Sequence, residues 1–189
     1  MSLSLVDGSD AELVALALAG KQAAYRELLA RHREPIFRLV RAATGDPSEA
    51  LDLTQEVFIS AFSALERYDT SRPLALWLRQ IALNKSRDWA RRRKVRAIFT
   101  RASPLDQAYA VADSTVSPEL QASDRAELGR VTAAMVKLPS RLRETLLLRT
   151  VDGLSQAEAA DVLGVSEKAI ETRLYRARAQ LKDLLADGE

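Results

Sequence analysis

The chain has 189 residues, 47% hydrophobic and 29% charged, with a formal net charge of +2. That is the composition of a globular protein, either one large domain or two small ones, and not of a disordered chain. With no cysteine and a single histidine, His32, a disulfide scaffold, a zinc finger, thiol catalysis and an ordinary serine–histidine–aspartate triad are disfavoured.

No apolar run approaches the roughly 18 residues of a membrane span. The early acids Asp7 and Asp10, with no basic region ahead of an apolar stretch, speak against a secretory signal. The pattern is helical nearly throughout, and no alternating strand-like run stands out. A first helix is expected over about 10–19, capped by Ser9 or Asp10, and a second over about 21–44, which Pro35 should kink or split. His32 lies in a polar stretch and reads as a solvated helix residue.

Asp46-Pro47-Ser48-Glu49 is a helix start: Asp46 can cap, Pro47 fits the first helical position and Glu49 sits where a capping-box partner belongs. The helix should run to about Leu65, with Leu51, Phe58, Phe62 and Leu65 on its buried face and Asp52, Gln55, Glu56, Ile59 and Ser63 on the other. After a turn-rich loop from Tyr68 to Pro73, a helix runs from about Leu74 into a basic block, with Trp77, Leu78 and Ile81 as its buried stripe.

Residues 72–96 hold nine basic side chains (Arg72, Arg79, Lys85, Arg87, Arg91, Arg92, Arg93, Lys94, Arg96) against Asp88 alone. Such a block in a nearly neutral chain reads as a polyanion contact or as a solvated helix end. From about Ala97 to Ser123 the periodicity breaks and basic residues nearly vanish, which reads as a flexible acidic linker; a short helix over Leu105–Ala112 is compatible with it. Helices resume at about Asp124, end near Leu138, restart at Pro139 and turn at Asp152-Gly153. The expectation is an all-α fold of two helical domains, 1–96 and 124–189, joined by the linker 97–123.

Residues 154–183 carry the most specific pattern. Ser155 caps a short helix and Glu158 completes a capping box; Gly164 supplies a left-handed turn, Val165 plugs it and Ser166 caps a longer helix. Ile170, Leu174, Ala177 and Leu181 form the inner stripe of that helix. Its outer face offers Lys168, Glu171, Thr172, Tyr175, Arg176 and Ala179, flanked by Arg173 and Arg178. This is a helix-turn-helix whose second helix can enter a major groove, with side chains for base edges and arginines for phosphates.

Three stretches together resemble the extracytoplasmic-function sigma factors of the bacterial sigma-70 class: Asp52-Leu-Thr-Gln-Glu-Val-Phe-Ile59, Trp77-Leu-Arg-Gln-Ile-Ala-Leu-Asn84 followed by Asp88-Trp-Ala-Arg-Arg-Arg93, and Leu138-Pro139 through Arg178. The resemblance covers nearly the whole chain. It implies that Asp52, Gln55, Glu56 and Ile59 dock on a coiled coil of the clamp of core RNA polymerase, an acidic rim around an apolar contact. It implies that Trp77, Arg79, Asn84, Lys85, Arg87, Asp88, Arg91, Arg92 and Arg93 meet the −10 element as a single strand. Ser166, Lys168, Glu171, Thr172, Arg173, Tyr175, Arg176 and Arg178 would read the −35 duplex. It further implies a cytoplasmic initiation factor, no enzyme, held by an anti-sigma protein, with no cofactor, metal site or membrane insertion of its own.

The sequence departs from the family's pattern in two places. Leu74 and Ala75 stand where an aromatic is frequent, and Glu171 stands where a basic residue is usual. Glu171 can accept from a cytosine amino group or stand as a solvated position. An ordinary helix-turn-helix regulator accounts for 124–187 but leaves the helices at 48–65 and 74–94 without a task. A decoy that titrates an inhibitor would have shed the basic residues that this chain keeps. An enzyme would need a phosphate-binding glycine loop, a metal cluster or a paired-carboxylate motif, and the sequence carries none; helix-borne acids such as Asp52 and Glu56, at i and i+4, have a spacing that suits a metal but no histidine nearby.

Overall fold

A computed structural model describes residues 7–99 and 118–186. Every regular element among the described residues is helical: α1 (Asp10–Leu18), α2 (Gln22–Thr44), α3 (Pro47–Ser63), a 3₁₀ turn (Leu65–Arg67), α4 (Leu74–Phe99), α5 (Pro118–Lys137), α6 (Ser140–Thr150), α7 (Gln156–Leu163) and α8 (Glu167–Ala186). No helix among the described residues is long and apolar enough to cross a membrane.

The caps set most of these ends. The Ser9 hydroxyl accepts from the Glu12 N–H while the Glu12 carboxylate accepts from the Ser9 N–H, and Ser155 and Glu158 repeat the arrangement at α7. Hydrogen bonds from the Ser155 hydroxyl and N–H hold the Glu158 carboxyl below its ordinary range. Ser155→Ala should therefore lower stability by about 1 kcal/mol, read as a lower midpoint in thermal unfolding, with Ser155→Asp retaining the wild-type value. Gly45 ends α2 at φ +72°, and a Cβ there would meet Val136 Cγ2 at 2.8 Å, so this position requires glycine for both its backbone and its close approach to α5.

Several expectations are revised. Pro35 does not split α2, which runs unbroken through it. The proline removes one intrahelical bond, but Ala24, Leu28, Ile36, Leu39 and Val40 are buried on either side of it and hold both halves in the core. His32 is not solvated: its side chain is 12% exposed and Nε2 lies 2.9 Å from Asp10 Oδ2, pinning α1 to α2 beside the Arg31–Asp10 pair. Glu49 closes no capping box; its carboxylate accepts the Trp89 indole N–H at 2.7 Å, while Asp46 alone caps α3. Helix α4 extends to Phe99 and α5 starts at Pro118, so both run into the expected linker. Proline at a first helical turn starts a helix rather than breaking one. The short helix considered over Leu105–Ala112 lies outside the described residues.

The first domain packs α1, α2, α3 and α4 around Leu13, Leu28, Leu39, Val57, Leu78 and Leu83. The second folds α6, α7 and α8 as the expected helix-turn-helix, with Gly164 at φ +63° in the turn and α5 alongside α8. The two are in contact. Leu147, Leu148, Leu154, Ala159, Val162 and Ile170 belong to the same continuous core as the first domain, whereas Leu138, Leu146 and Ala177 form a smaller one with Leu142, Leu174 and Leu181. Helix α4 packs on α7, and α2 packs on α5 and α6.

Candidate functional site

Three surfaces carry the residues singled out by the sequence. The first is the outward face of α3. Burial of Ala50, Leu53, Thr54, Val57, Phe58 and Ala61 turns Asp52, Gln55 and Ile59 to solvent, with Glu56 half-buried and 3.5 Å from Lys85 Nζ. Ile59 is 66% exposed. Leu51, expected in the buried face, is 45% exposed and joins it on this surface. The sequence reading followed only the large apolar residues; the small ones, Ala50 and Ala61, would have placed the buried face correctly.

The second surface is α4, and its expected contact residues do not share one face. Trp77 is half-buried and tilts against Tyr68, with ring centroids 5.0 Å apart. Asn84 and Asp88, one turn apart, are exposed, and Asp88 pairs with Arg91 at 3.1 Å. Arg91, Arg92, Arg93 and Lys94 are all exposed, with the Arg93 guanidinium 5.2 Å from the centre of the Trp89 ring. Lys85 turns toward α3. Arg79 and Arg87 turn toward the second domain. Arg79 Nε donates to Asp152 Oδ2 at 2.6 Å; Arg87 donates through Nε and Nη2 to the two oxygens of Glu144, both at 2.6 Å, and through Nη1 to Asn84 Oδ1 at 2.9 Å. Hydrogen bonding to Glu144 holds the Arg87 guanidinium still more firmly protonated. Ahead of the helix, Arg72 pairs with Asp161 at 2.8 Å.

The third surface is the outer face of α8. The Ser166 hydroxyl caps the helix by accepting from the Ala169 N–H at 3.2 Å. Lys168, Glu171, Thr172, Tyr175, Arg176 and Arg178 are exposed. Glu171 pairs with Lys168 at 2.8 Å and Thr172 donates to the Lys168 carbonyl at 2.9 Å. An exposed pair of this kind adds little to stability, so Lys168 and Glu171 are both available to a ligand. Arg173 is half-buried and lines the cleft between the domains with Arg87, Arg141, Glu144 and Val165.

The sequence reading missed Trp89 as the anchor of α4 to α3, and it missed the three acids that receive the α4-side arginines. One signal was present. Glu144 stands in the same helix as Thr145, Leu146, Leu147 and Leu148, all buried with it, and an acid buried among apolar neighbours needs a cationic partner.

Known proteins share this arrangement. The family described as Sigma-70 region 2 matches residues 28–96, and Sigma-70, region 4 matches 128–181. The chain is 40% identical over 187 residues to the RNA polymerase sigma factor CnrH of Cupriavidus metallidurans, covering 97% of this chain and 98% of that protein. It is 32% identical over 177 residues to the ECF RNA polymerase sigma factor SigM of Mycobacterium tuberculosis, covering 94% and 85%. The solved structure of CnrH in complex with the cytosolic domain of CnrY aligns over 95% of this chain and 99% of that one, with a TM-score of 0.71 and 34% identity. RpoE in complex with the anti-sigma factor NepR from Bartonella quintana shares the fold, with a TM-score of 0.69 at 21% identity over 86% of this chain and 96% of that one.

Proposed function

Because the chain belongs to the bacterial sigma-70 family, among its ECF RNA polymerase sigma factors, we propose that its three exposed surfaces divide the work of starting transcription. The protein is a sigma factor: it binds core RNA polymerase and directs promoter recognition and strand opening. The observation that carries this reading is the presence of both matched regions, in order, in one polypeptide.

Residues 1–96 form the polymerase- and −10-binding domain, 97–123 the linker and 124–189 the −35-binding domain. On α3, Asp52, Gln55, Glu56 and Ile59 dock on the polymerase clamp, with Leu51 widening the apolar contact. On α4, Asn84, Asp88, Arg91, Arg92 and Arg93 stand ready for a single strand, while Trp77, Arg79, Lys85 and Arg87 are engaged within the chain and need release. On α8, Ser166, Lys168, Glu171, Thr172, Arg173, Tyr175, Arg176 and Arg178 meet the −35 duplex. The protein works in the cytoplasm and is a transcription initiation factor rather than an enzyme. An anti-sigma protein restrains it, as the solved assembly of its relative CnrH with the cytosolic domain of CnrY suggests.

The test is transcription from the promoter of this protein's own operon with core polymerase. Wild type initiates; Asn84→Ala and Arg176→Ala each lower initiation about tenfold, the loss of one good base or phosphate contact at ~1.4 kcal/mol, without loss of core affinity. Normal initiation by both variants would overturn the site assignments. Footprinting with the free protein, expected to be weak unless core is added, separates this reading from a stand-alone regulator.

A further inference from the structure

Three acids of the second domain occupy three arginines on the α4 side of the first. Arg87 binds Glu144 in a two-pronged pair, Arg79 binds Asp152, and Arg72 binds Asp161. A carboxylate on a guanidinium has the geometry of a phosphate on the same group. The Arg79–Asp152 pair is sheltered, its side chains 12% and 3% exposed, whereas the Arg87–Glu144 pair buries only its acid, at 5%, with Arg87 43% exposed. The surfaces on α3 and on the outer face of α8 stay open in the same structure, since Ile59, Asp52, Tyr175 and Arg176 are exposed. Contact between the domains therefore engages Arg72, Arg79 and Arg87 on the α4 side, while Asn84, Asp88 and the basic run from Arg91 stay exposed, as do the face of α3 and most of the outer face of α8.

We propose that Glu144, Asp152 and Asp161 are internal stand-ins for DNA phosphates, which close the second domain over α4 and which a single strand must displace. This rests on the reading of α4 as the single-strand contact. Ion pairs with a buried acid, as at Glu144 and Asp152, suit such a latch. Their desolvation offsets most of their attraction, so the pairs add little net stability to the closed state. An arginine left in the closed interface without its acid is costly, so removal of the acids favours opening, and in the open form the guanidinium is free to take another anion. Being sheltered, the Arg79–Asp152 pair also yields less to salt than exposed pairs do. The apolar part of the contact, Leu147, Leu148 and Leu154 in the shared core, orients the acids but offers nothing to a strand. Core polymerase, arriving at the open face of α3, meets the closed form first, and opening follows.

The chain has no cysteine, so fluorophores placed at Lys21→Cys and Gln180→Cys, both exposed positions, report the distance between the domains. Wild type is titrated with a mixed-sequence single-stranded oligonucleotide, beside Glu144→Gln/Asp152→Asn and a charge-matched control, Glu34→Gln/Asp183→Asn, at exposed acids outside the interface. The latch variant should hold its fluorophores further apart and bind the strand about tenfold tighter, the equivalent of one released charge pair, while the control changes less than about twofold. The wild-type fluorophores should separate as the oligonucleotide saturates, a result that needs no substitution in the interface.

Equal gains in the latch variant and the control, or saturation of wild type with no change in distance, would overturn the competition. A variant that opens but binds no tighter than wild type overturns it as well, leaving the assignment of α4 in place. A variant that opens and binds no strand at all overturns that assignment, and the competition with it.

Discussion

Ile59→Asp should weaken binding to core polymerase about a hundredfold while leaving the thermal midpoint of the free protein unchanged. The side chain is 66% exposed and outside both cores, so the folded state loses little when it is replaced. The bound state loses the burial of an isoleucine, about 2–3 kcal/mol, and gains an acid in the centre of a rim already set by Asp52 and Glu56. A hundredfold change corresponds to about 2.7 kcal/mol, within the range of a central interface residue. Leu51→Asp, at the edge of the same face, should cost less, and Glu34→Gln, on another surface, nothing. The measurement is equilibrium titration of labelled protein with core enzyme. Undiminished affinity of the Ile59 variant would remove α3 from the polymerase interface and leave its exposed isoleucine without a partner.

What the sequence disclosed and what it withheld follow the range of the interactions concerned. Capping is local, so Ser9, Asp46, Ser155, Gly164 and Ser166 marked helix ends that the structure reproduces within a few residues. The helix-turn-helix was legible because its turn, plug and inner stripe lie within one short segment. Errors arose where a residue's partner is distant. Pro35 read as a residue that kinks or splits the helix because the packing that keeps α2 continuous through it comes from other helices. His32 read as solvated because Asp10, its partner, is 22 residues away. Glu49 read as a cap because Trp89 is 40 residues away. The extreme case is the contact between domains, whose pairs span 57, 73 and 89 residues. A basic block in a sequence names a cationic surface, but it cannot show that part of that surface is already occupied by the chain's own acids.

Ile170→Ala tests how far the two domains depend on each other. Ile170 is fully buried under the turn between α7 and α8, in the core that also holds Leu147, Leu148 and the first domain's Leu78 and Leu83. Truncation leaves a cavity that the rigid turn cannot collapse, at about 2–5 kcal/mol. In a chain of this size that lowers the thermal midpoint by roughly 5–15 °C; Ile170→Val, which removes one methylene, should cost only about 0.5–1.5 kcal/mol. The larger loss falls on the second domain, because α8 packs chiefly on α5, α6 and α7, while the Trp89–Glu49 anchor lies within the first domain. At a temperature between the two midpoints, duplex recognition through α8 should fail while core binding through α3 persists. Arg79 and Arg87 should then be released from Asp152 and Glu144, so single-strand binding should rise as promoter-specific transcription falls. Calorimetry and the oligonucleotide titration decide the matter together. An unchanged midpoint would contradict the packing, and a parallel fall in core and single-strand binding would mean that the first domain has no fold of its own without the second.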